Sequence, residues 1–573
     1  MTARRGLVLA ALLVLALPAS AGAHAALLRT SPSASGTVNG SPGQVRLTYS
    51  EAVEPRFAIV SVTDASGNRV TTAGPSRSRA NADELDVPVR HLGRGWYLVY
   101  WRVISVDGHP VRGAFTFAVG PNPGPAPQFA IPSLSETAAT PSLLVARWIV
   151  LLSMLCGIGL LAFRLSIARP LLRRVPGASL RAVSVALAAS LTVALVATLV
   201  YVDLSTAEFA QLGAFDLGSV VPLMRDSAFG RGYLDLALIL ALLCAAAWVA
   251  VWIDRPDRAR RSVAELLAGA GVVAAAAAAL LVPGLAGHAG QYSPRGVSLL
   301  LDASHMGAAA VWIGGLLGLS IVAWKASTRR VACMVVLVPR FSNVALGATL
   351  LLITSGTIAA IIRLPTLSSI WETGYGQALL VKIGLLLLAL AIAAVNLLRT
   401  KPRLEASERR PGLGEPTTRS LRRLVGGEQF LVVGAVFCAG VMSSLAPPPK
   451  SLAQEGKAEA SVGPGRVLKT LKKEGYTLQF SVSPNRAAVP NAFAVKVTKD
   501  GKPVTGATVI AKFIMLDMEM QQQAYTLKEQ SPSVYSKSSL PSLVMVGHWG
   551  LDFSVTPPGG QPFDVLLLDK AEG

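Results

Sequence analysis

Ser298-Leu299-Leu300-Leu301-Asp302-Ala303-Ser304-His305-Met306-Gly307-Ala308-Ala309-Ala310-Val311-Trp312-Ile313-Gly314-Gly315-Leu316 decides the fold, because it is apolar over a bilayer's length yet carries a carboxylate and an imidazole. Continued to residue 323, the run can satisfy its backbone in lipid only as a helix. Seven more runs of this kind are centred on 143–163, 181–202, 233–253, 263–286, 341–362, 378–398 and 429–446. The loops support the count of eight spans. The first, third, fifth and seventh loops hold twenty-one Lys and Arg, whereas the alternate loops hold four: Arg225, Arg231, Arg295 and Arg363. Basic loops stay on the cytoplasmic side, so both ends of an eight-span chain are expected outside.

The composition fits this reading. Charged residues make up 15% of the 573 residues and the net charge is +20, but the basic residues are scattered between apolar runs. That pattern is an orientation signal and argues against a nucleic-acid partner. At the start, Arg4-Arg5, an apolar run Leu7 to Leu17, Pro18 and Ala21-Gly22-Ala23 read as a signal peptide over 1–23, leaving His24 first in the mature chain. The four cysteines, Cys156, Cys244, Cys333 and Cys438, all fall between 143 and 446. Any metal site outside the membrane must therefore use His, Met, carboxylate or backbone nitrogen.

Two flanking blocks have the short alternation of β structure. Residues 24–120 contain Val45-Arg46-Leu47-Thr48-Tyr49, Ala58 to Thr63, Trp96 to Val103 and Ala114 to Val119, separated by turns, and predict a β-sandwich. A Pro-rich linker follows over 121–142, then the helical domain over 143–446 and a linker over 447–465. Residues 466–573 again read as a β-sandwich, with Asp500-Gly501 as a hairpin turn.

A mature His24 offers its α-amine and its Nδ1 together as a chelate. Ser105-Val106-Asp107-Gly108-His109-Pro110 places a carboxylate and an imidazole at i and i+2, on one side of an extended chain. Such nitrogen and oxygen donors suit Cu(II), although a D-G-H stretch by itself reads more readily as a solvated strand-end turn. Within the spans, His288, Asp302, His305 and Met306 stand out, since ionisable side chains in lipid face a cavity or a partner. Asp302 and His305 share a helix face, and His305 lies roughly 10 Å in from the outer surface at about 1.5 Å per residue. These residues form either an uptake site or a structural intramembrane pair. Cys438 with Met442, Lys382 and Asn396 are weaker candidates that ordinary packing also explains. Near the C-terminus, Met515, Met518, Met520, Met545 and His548 could bind Cu(I) or fill a core.

Residues His24-Ala25-Ala26-Leu27, Leu47-Thr48-Tyr49-Ser50-Glu51 and Tyr100 to Gly113 resemble CopC, the periplasmic copper-binding protein of copper-resistance systems. The resemblance implies a Cu(II) site made by His24, Asp107 and His109. The absence of Met from 24–120 implies no Cu(I) site there, and His91 lies outside the motif. Gly287-His288-Ala289-Gly290 and His305 to Leu316 resemble CopD, the inner-membrane partner associated with copper uptake. Gly501 to Met520 and His548-Trp549 resemble YtkA-like domains, with Gln521 to Gln523 replacing the usual extension of the M-x-M run.

The expectation is a cytoplasmic-membrane protein, not an enzyme, that captures Cu(II) outside and conducts copper inward. Extracytoplasmic copper donors and a reductant are the implied partners. No G-x-x-x-x-G-K-[ST] loop occurs, so the chain carries no sign of ATP-driven pumping. The rivals are a copper chaperone or sensor without transport, a copper monooxygenase, and a membrane haem protein ligated by His288 and His305.

Overall fold

The computed structural model describes residues 27–50, 52–104, 110–122, 124, 127, 129, 140–210, 213–226, 228–258, 260–285, 294–326, 329–367, 369–445, 458–516, 523–540, 542–544 and 547–572. These residues divide into a helical unit and a unit holding both β regions.

The helical unit contains eight helices long and apolar enough to cross a membrane: α1 Pro141–Ile167, α2 Arg181–Glu208, α3 Gly230–Ile253, α4 Val263–Leu285, α5 Arg295–Lys325, α6 Arg330–Arg363, α7 Gly374–Ala406 and α8 Gly414–Met442. Local chemistry sets their starts. Pro141 occupies the first turn of α1, where its missing N–H is no loss, and the Thr373 hydroxyl accepts the Gly376 N–H at 3.0 Å to begin α7. Large apolar side chains stay exposed on the outer faces, among them Leu238, Trp248, Leu267 and Ile361. An apolar exterior of this kind suits lipid.

α5 is the central helix, and small residues let its neighbours approach. A Cβ at Gly159 of α1 would lie 1.8 Å from the Ala310 carbonyl oxygen, and one at Gly314 would lie 2.1 Å from the Gly159 carbonyl carbon. Gly315 and Gly318 leave the room filled by Phe341 of α6 and Phe163 of α1. Close backbone contact at small residues is how helices associate in lipid.

The N-terminal β region has β1 Leu27–Ser31, β2 Thr37–Val38, β3 Gln44–Tyr49, β4 Ile59–Asp64, β5 Ser76–Arg77, β6 Glu84–Pro88, β7 Gly95–Ile104 and β8 Pro110–Val119. They make two sheets, ordered β1-β3-β6-β5 and β2-β8-β7-β4. Val45, Leu47, Val60, Val62, Val99, Trp101, Phe115 and Phe117 fill the space between them, as strand alternation expects. Asp64 closes the turn after β4 by accepting the Ser66 and Asn68 N–H groups at 2.9 Å.

The C-terminal region has β9 Ala460–Val462, β10 Val467–Lys473, β11 Tyr476–Ser483, β12 Asn491–Lys499, β13 Lys502–Pro503, β14 Thr508–Met515, β15 Gln523–Ser531, β16 Val534–Leu540, β17 Gly547–Thr556 and β18 Phe563–Ala571. The order β10-β11-β12-β16-β15-β14-β17-β18-β9 is one unbroken set of pairings, with β13 on β12. The pairings thus run continuously from one layer of the expected sandwich to the other. Phe480 of β11 and Phe553 of β17 stand far apart in that order, yet their ring centroids lie 4.9 Å apart across the core. Asp500 and Gly501 both have positive φ, 50° and 77°, and join Lys499 to its partner Lys502 as a type I′ turn demands. Within 447–465, Ala460–Val462 pair in parallel with β18.

Candidate functional site

The His24, Asp107 and His109 set lies outside the described residues, but its flanks are in place. Ile104 pairs with Pro110, so Asp107 and His109 belong to the five-residue connection between the paired ends of β7 and β8. His24 lies three residues before Leu27, which pairs with Tyr49. Tyr49 meets Trp101 edge-on at 5.7 Å between ring centroids, and Trp101 is three residues from Ile104. This contact carries the start of β1 and the end of β7 to the same end of the sandwich. Among the described residues, the Tyr49 hydroxyl and Trp101 Nε1 are buried there without a hydrogen-bond partner, and burial pushes the Tyr49 hydroxyl well above its usual range. His91 is exposed on a loop.

In the helical unit, His288 lies outside the described residues. His305 is held firmly. Its Nδ1 is 3.1 Å from the Leu352 carbonyl oxygen and 3.2 Å from the Ser355 hydroxyl, both on α6. The Ser355 hydroxyl donates to the Leu351 carbonyl at 2.6 Å, so the Leu352 carbonyl is the acceptor that calls for a proton on Nδ1. That assignment follows from the partners, and it leaves Nε2 with its lone pair for a ligand.

Asp302 does not stand open beside it. Its Oδ1 accepts from Arg363 Nη2 at 2.6 Å, so the carboxylate is an ion-pair partner before it is a ligand. Lys382 of α7 is close enough to act electrostatically on both His305 and Asp302. It also acts on Cys438 of α8, which joins the same cluster. Met306 packs against the helical core, and Met442 is buried at the end of α8. Arg147 of α1, which sequence reasoning passed over, is satisfied by the Tyr201 hydroxyl at 2.9 Å and by the Ser443 carbonyl at 2.7 Å.

Seven residues along α5 from His305, or about 10 Å, Trp312 Nε1 donates to Glu428 Oε1 at 2.7 Å. The Asn396 amide donates to Glu428 Oε2 at 3.4 Å. A buried carboxylate held by an indole and an amide had no signal in hydropathy, because Glu428 stands just before the eighth apolar run and reads as part of the preceding charged loop.

The C-terminal methionines are only partly described: Met518, Met520 and Met545 lie outside the described residues. Met515 is buried in the core opposite Trp549, whereas His548 precedes Trp549 and is exposed on the other face of β17. Asp569 is buried opposite Trp549 and accepts from the Asn485 amide at 2.8 Å.

Comparison with known proteins adds three domain matches in order. The CopC domain family matches residues 27–120, the family described as copper resistance protein D matches 335–442, and the YtkA-like family matches 470–553. The second match begins after His305 and includes Ser355, Lys382, Asn396 and Glu428. The chain is 26% identical over 544 residues to the copper transport protein CutJ of Bacillus subtilis (strain 168), covering 93% of each. It is 36% identical over 101 residues to protein YobA of Escherichia coli (strain K12), covering 18% of this chain and 82% of YobA. Among solved structures it is similar to CopC from Methylosinus trichosporium OB3b, at 33% identity, 19% of this chain, 100% of that chain and a TM-score of 0.16.

Proposed function

We propose that this chain, which belongs to the CopC–CopD family of copper-resistance proteins and ends in a YtkA-like domain, captures Cu(II) on its N-terminal β domain and conducts copper through its helices into the cytoplasm. The observation that carries the transport reading is His305: Nδ1 is committed to the Leu352 carbonyl at 3.1 Å, which leaves Nε2 as the ring nitrogen with a lone pair for a metal. A histidine oriented by a carbonyl on one nitrogen is the usual form of a metal ligand. His288 and Met306 are the donors nearest to it in sequence.

The N-terminal domain supplies hard and borderline donors from His24, Asp107 and His109, the set that retains Cu(II). The C-terminal Met518, Met520 and Met545 are soft donors suited to Cu(I) if they converge. A reductant from outside the chain must act between the two states. The orientation rests on the basic loops: with twenty-one Lys and Arg on one side, both β domains face outward from the cytoplasmic membrane. The family names speak of transport and resistance, and the chain is read as a carrier of copper and not as an enzyme.

The test is cytoplasmic copper in cells at limiting external copper, expressing the wild type or His305→Ala at equal protein level. Higher internal copper with the wild type, lost in the variant, supports inward conduction through His305. Equal copper in both leaves an extracytoplasmic copper chaperone or sensor.

A further inference from the structure

The carboxylates among the helices differ in their partners: Asp203 is buried with its Oδ2 accepting the Phe215 N–H at 3.1 Å, whereas three others face arginines. Asp254 meets Arg164 at 2.5 Å, Glu265 meets Arg169 at 2.8 Å and Asp302 meets Arg363 at 2.6 Å. Glu428 is 2% exposed, and its described partners are both neutral: the Trp312 indole on α5 and the Asn396 amide on α7. Among the described residues, the side chains acting on it are the Trp312 indole and the Asn396 amide. Several charges on the neighbouring helices are engaged elsewhere. On α1, Arg147 is bound to Tyr201 and Arg164 to Asp254; on α6, Arg363 is bound to Asp302 and Arg330 to the Ala323 carbonyl; on α7, Lys401 reaches Asn343 and Lys382 acts on Asp302.

An ionised carboxylate without a cation is expensive inside a bilayer, which favours binding a proton. Two N–H donors aimed at its oxygens favour the ionised form. The Asn396 amide can serve both states. Its Nδ2 donates to Glu428 Oε2, while its Oδ1 is buried with no partner. Rotating the amide brings Oδ1 to face Oε2, where it accepts the hydrogen of a protonated acid. The helix is also loosened at this point. The Lys401 N–H reaches back five residues to the Asn396 carbonyl, a π-turn of the sort that recurs at functional sites.

We propose that Glu428 is a proton-binding site within the membrane domain, alternating between a carboxylate that takes the Asn396 N–H and an acid that donates to the Asn396 carbonyl oxygen, and that its proton moves when copper moves. The coupling half rests on the uptake reading above. Glu428 lies beyond His305 along α5, and release of its proton to water as a monovalent copper ion arrives keeps the total charge among the helices constant. Atoms balance: one O–H bond breaks at Glu428 and the proton leaves, with no change of oxidation state.

Two measurements on the full-length chain test the halves separately. Infrared difference spectra of the reconstituted protein between high and low pH are expected to contain a protonated-carboxyl band that is absent from Glu428→Gln, which mimics the acid, and whose midpoint moves in Asn396→Leu. A pH-dependent carboxyl band unchanged in Glu428→Gln overturns the proton site. In proteoliposomes given Cu(I), wild-type copper entry should be accompanied by proton movement that falls at least about tenfold per copper in Glu428→Gln. Equal proton movement in both overturns the coupling. No copper entry with the wild type removes the uptake reading and the coupling together, while the infrared band still decides whether Glu428 binds a proton.

Discussion

A Cβ on Gly356 would stand 2.9 Å from Cε1 of His305, so the imidazole occupies space that only glycine leaves open. The ring cannot easily retreat, because its Nδ1 is tied to the Leu352 carbonyl at 3.1 Å. Gly356→Ala should displace His305 and lower copper affinity by about 10–100-fold, the usual cost of disturbing a ligand's supporting shell. Gly347→Ala on the same helix meets nothing within 4 Å and serves as the control. Copper retention by the purified full-length chain reads the difference; equal retention in both variants would separate His305 from copper binding.

Lys382 places an ammonium within electrostatic reach of His305, while Asp302 is already neutralised by Arg363 at 2.6 Å. A copper cation on Nε2 therefore meets net positive surroundings. Lys382→Met should strengthen copper retention, on the order of tenfold for roughly 1.4 kcal/mol of relieved repulsion. Weaker retention instead would mean that the lysine nitrogen helps to hold the metal.

The eight spans and the strands flanking the D-G-H stretch were legible because hydropathy and alternation are local signals. The partners of the site residues were not. Asp302 and His305 look like a pair on one helix face, but Asp302 pairs with Arg363 and His305 with Leu352 and Ser355, all on the next helix. Arg363 had been counted only as a loop charge. The faces of Met515 and His548 were not legible either, because strand register decides the face, and register depends on cross-strand pairing of Met515 with Trp549. Ala114, Thr116 and Ala118 show the same limit. Their small side chains alternate with core residues, yet the Thr116 hydroxyl donates to the Ala488 carbonyl of the other β region at 2.6 Å. Nothing local announces a contact between residues so far apart in the chain.

Arg164 near the end of α1 and Arg169 just beyond it are part of a buried network with acids beyond α3 and in α4. Arg164 Nη1 meets Asp254 Oδ2 at 2.5 Å, and Arg169 joins Asp254 at 3.6 Å and Glu265 at 2.8 Å. Asp254→Asn leaves Arg164 with a buried charge and no counterion, which should destabilise the helical domain by about 3–5 kcal/mol. Arg164→Met with Asp254→Leu removes both charges and should recover most of that loss. Thermal unfolding in detergent compares the two; a double variant no better than the single one would assign the loss to packing.

Asp569 gives the C-terminal domain a pH dependence of definite sign. Burial raises its carboxyl from 3.8 to about 6, against the opposing Asn485 hydrogen bond and the charge of His548. The folded state then holds a proton between about pH 4 and 6 that the unfolded state has released. Stability accordingly falls as pH rises through that window and levels off above it. A shift of this size corresponds to roughly 2–3 kcal/mol lost by neutral pH. Asp569→Asn can still accept the Asn485 N–H through its amide oxygen while carrying no charge. It should flatten the dependence and make β17 and β18 more stable than wild type above pH 6. Amide hydrogen exchange of these strands in the full-length chain measures the effect, and an unchanged pH slope in Asp569→Asn would assign the titration to another group.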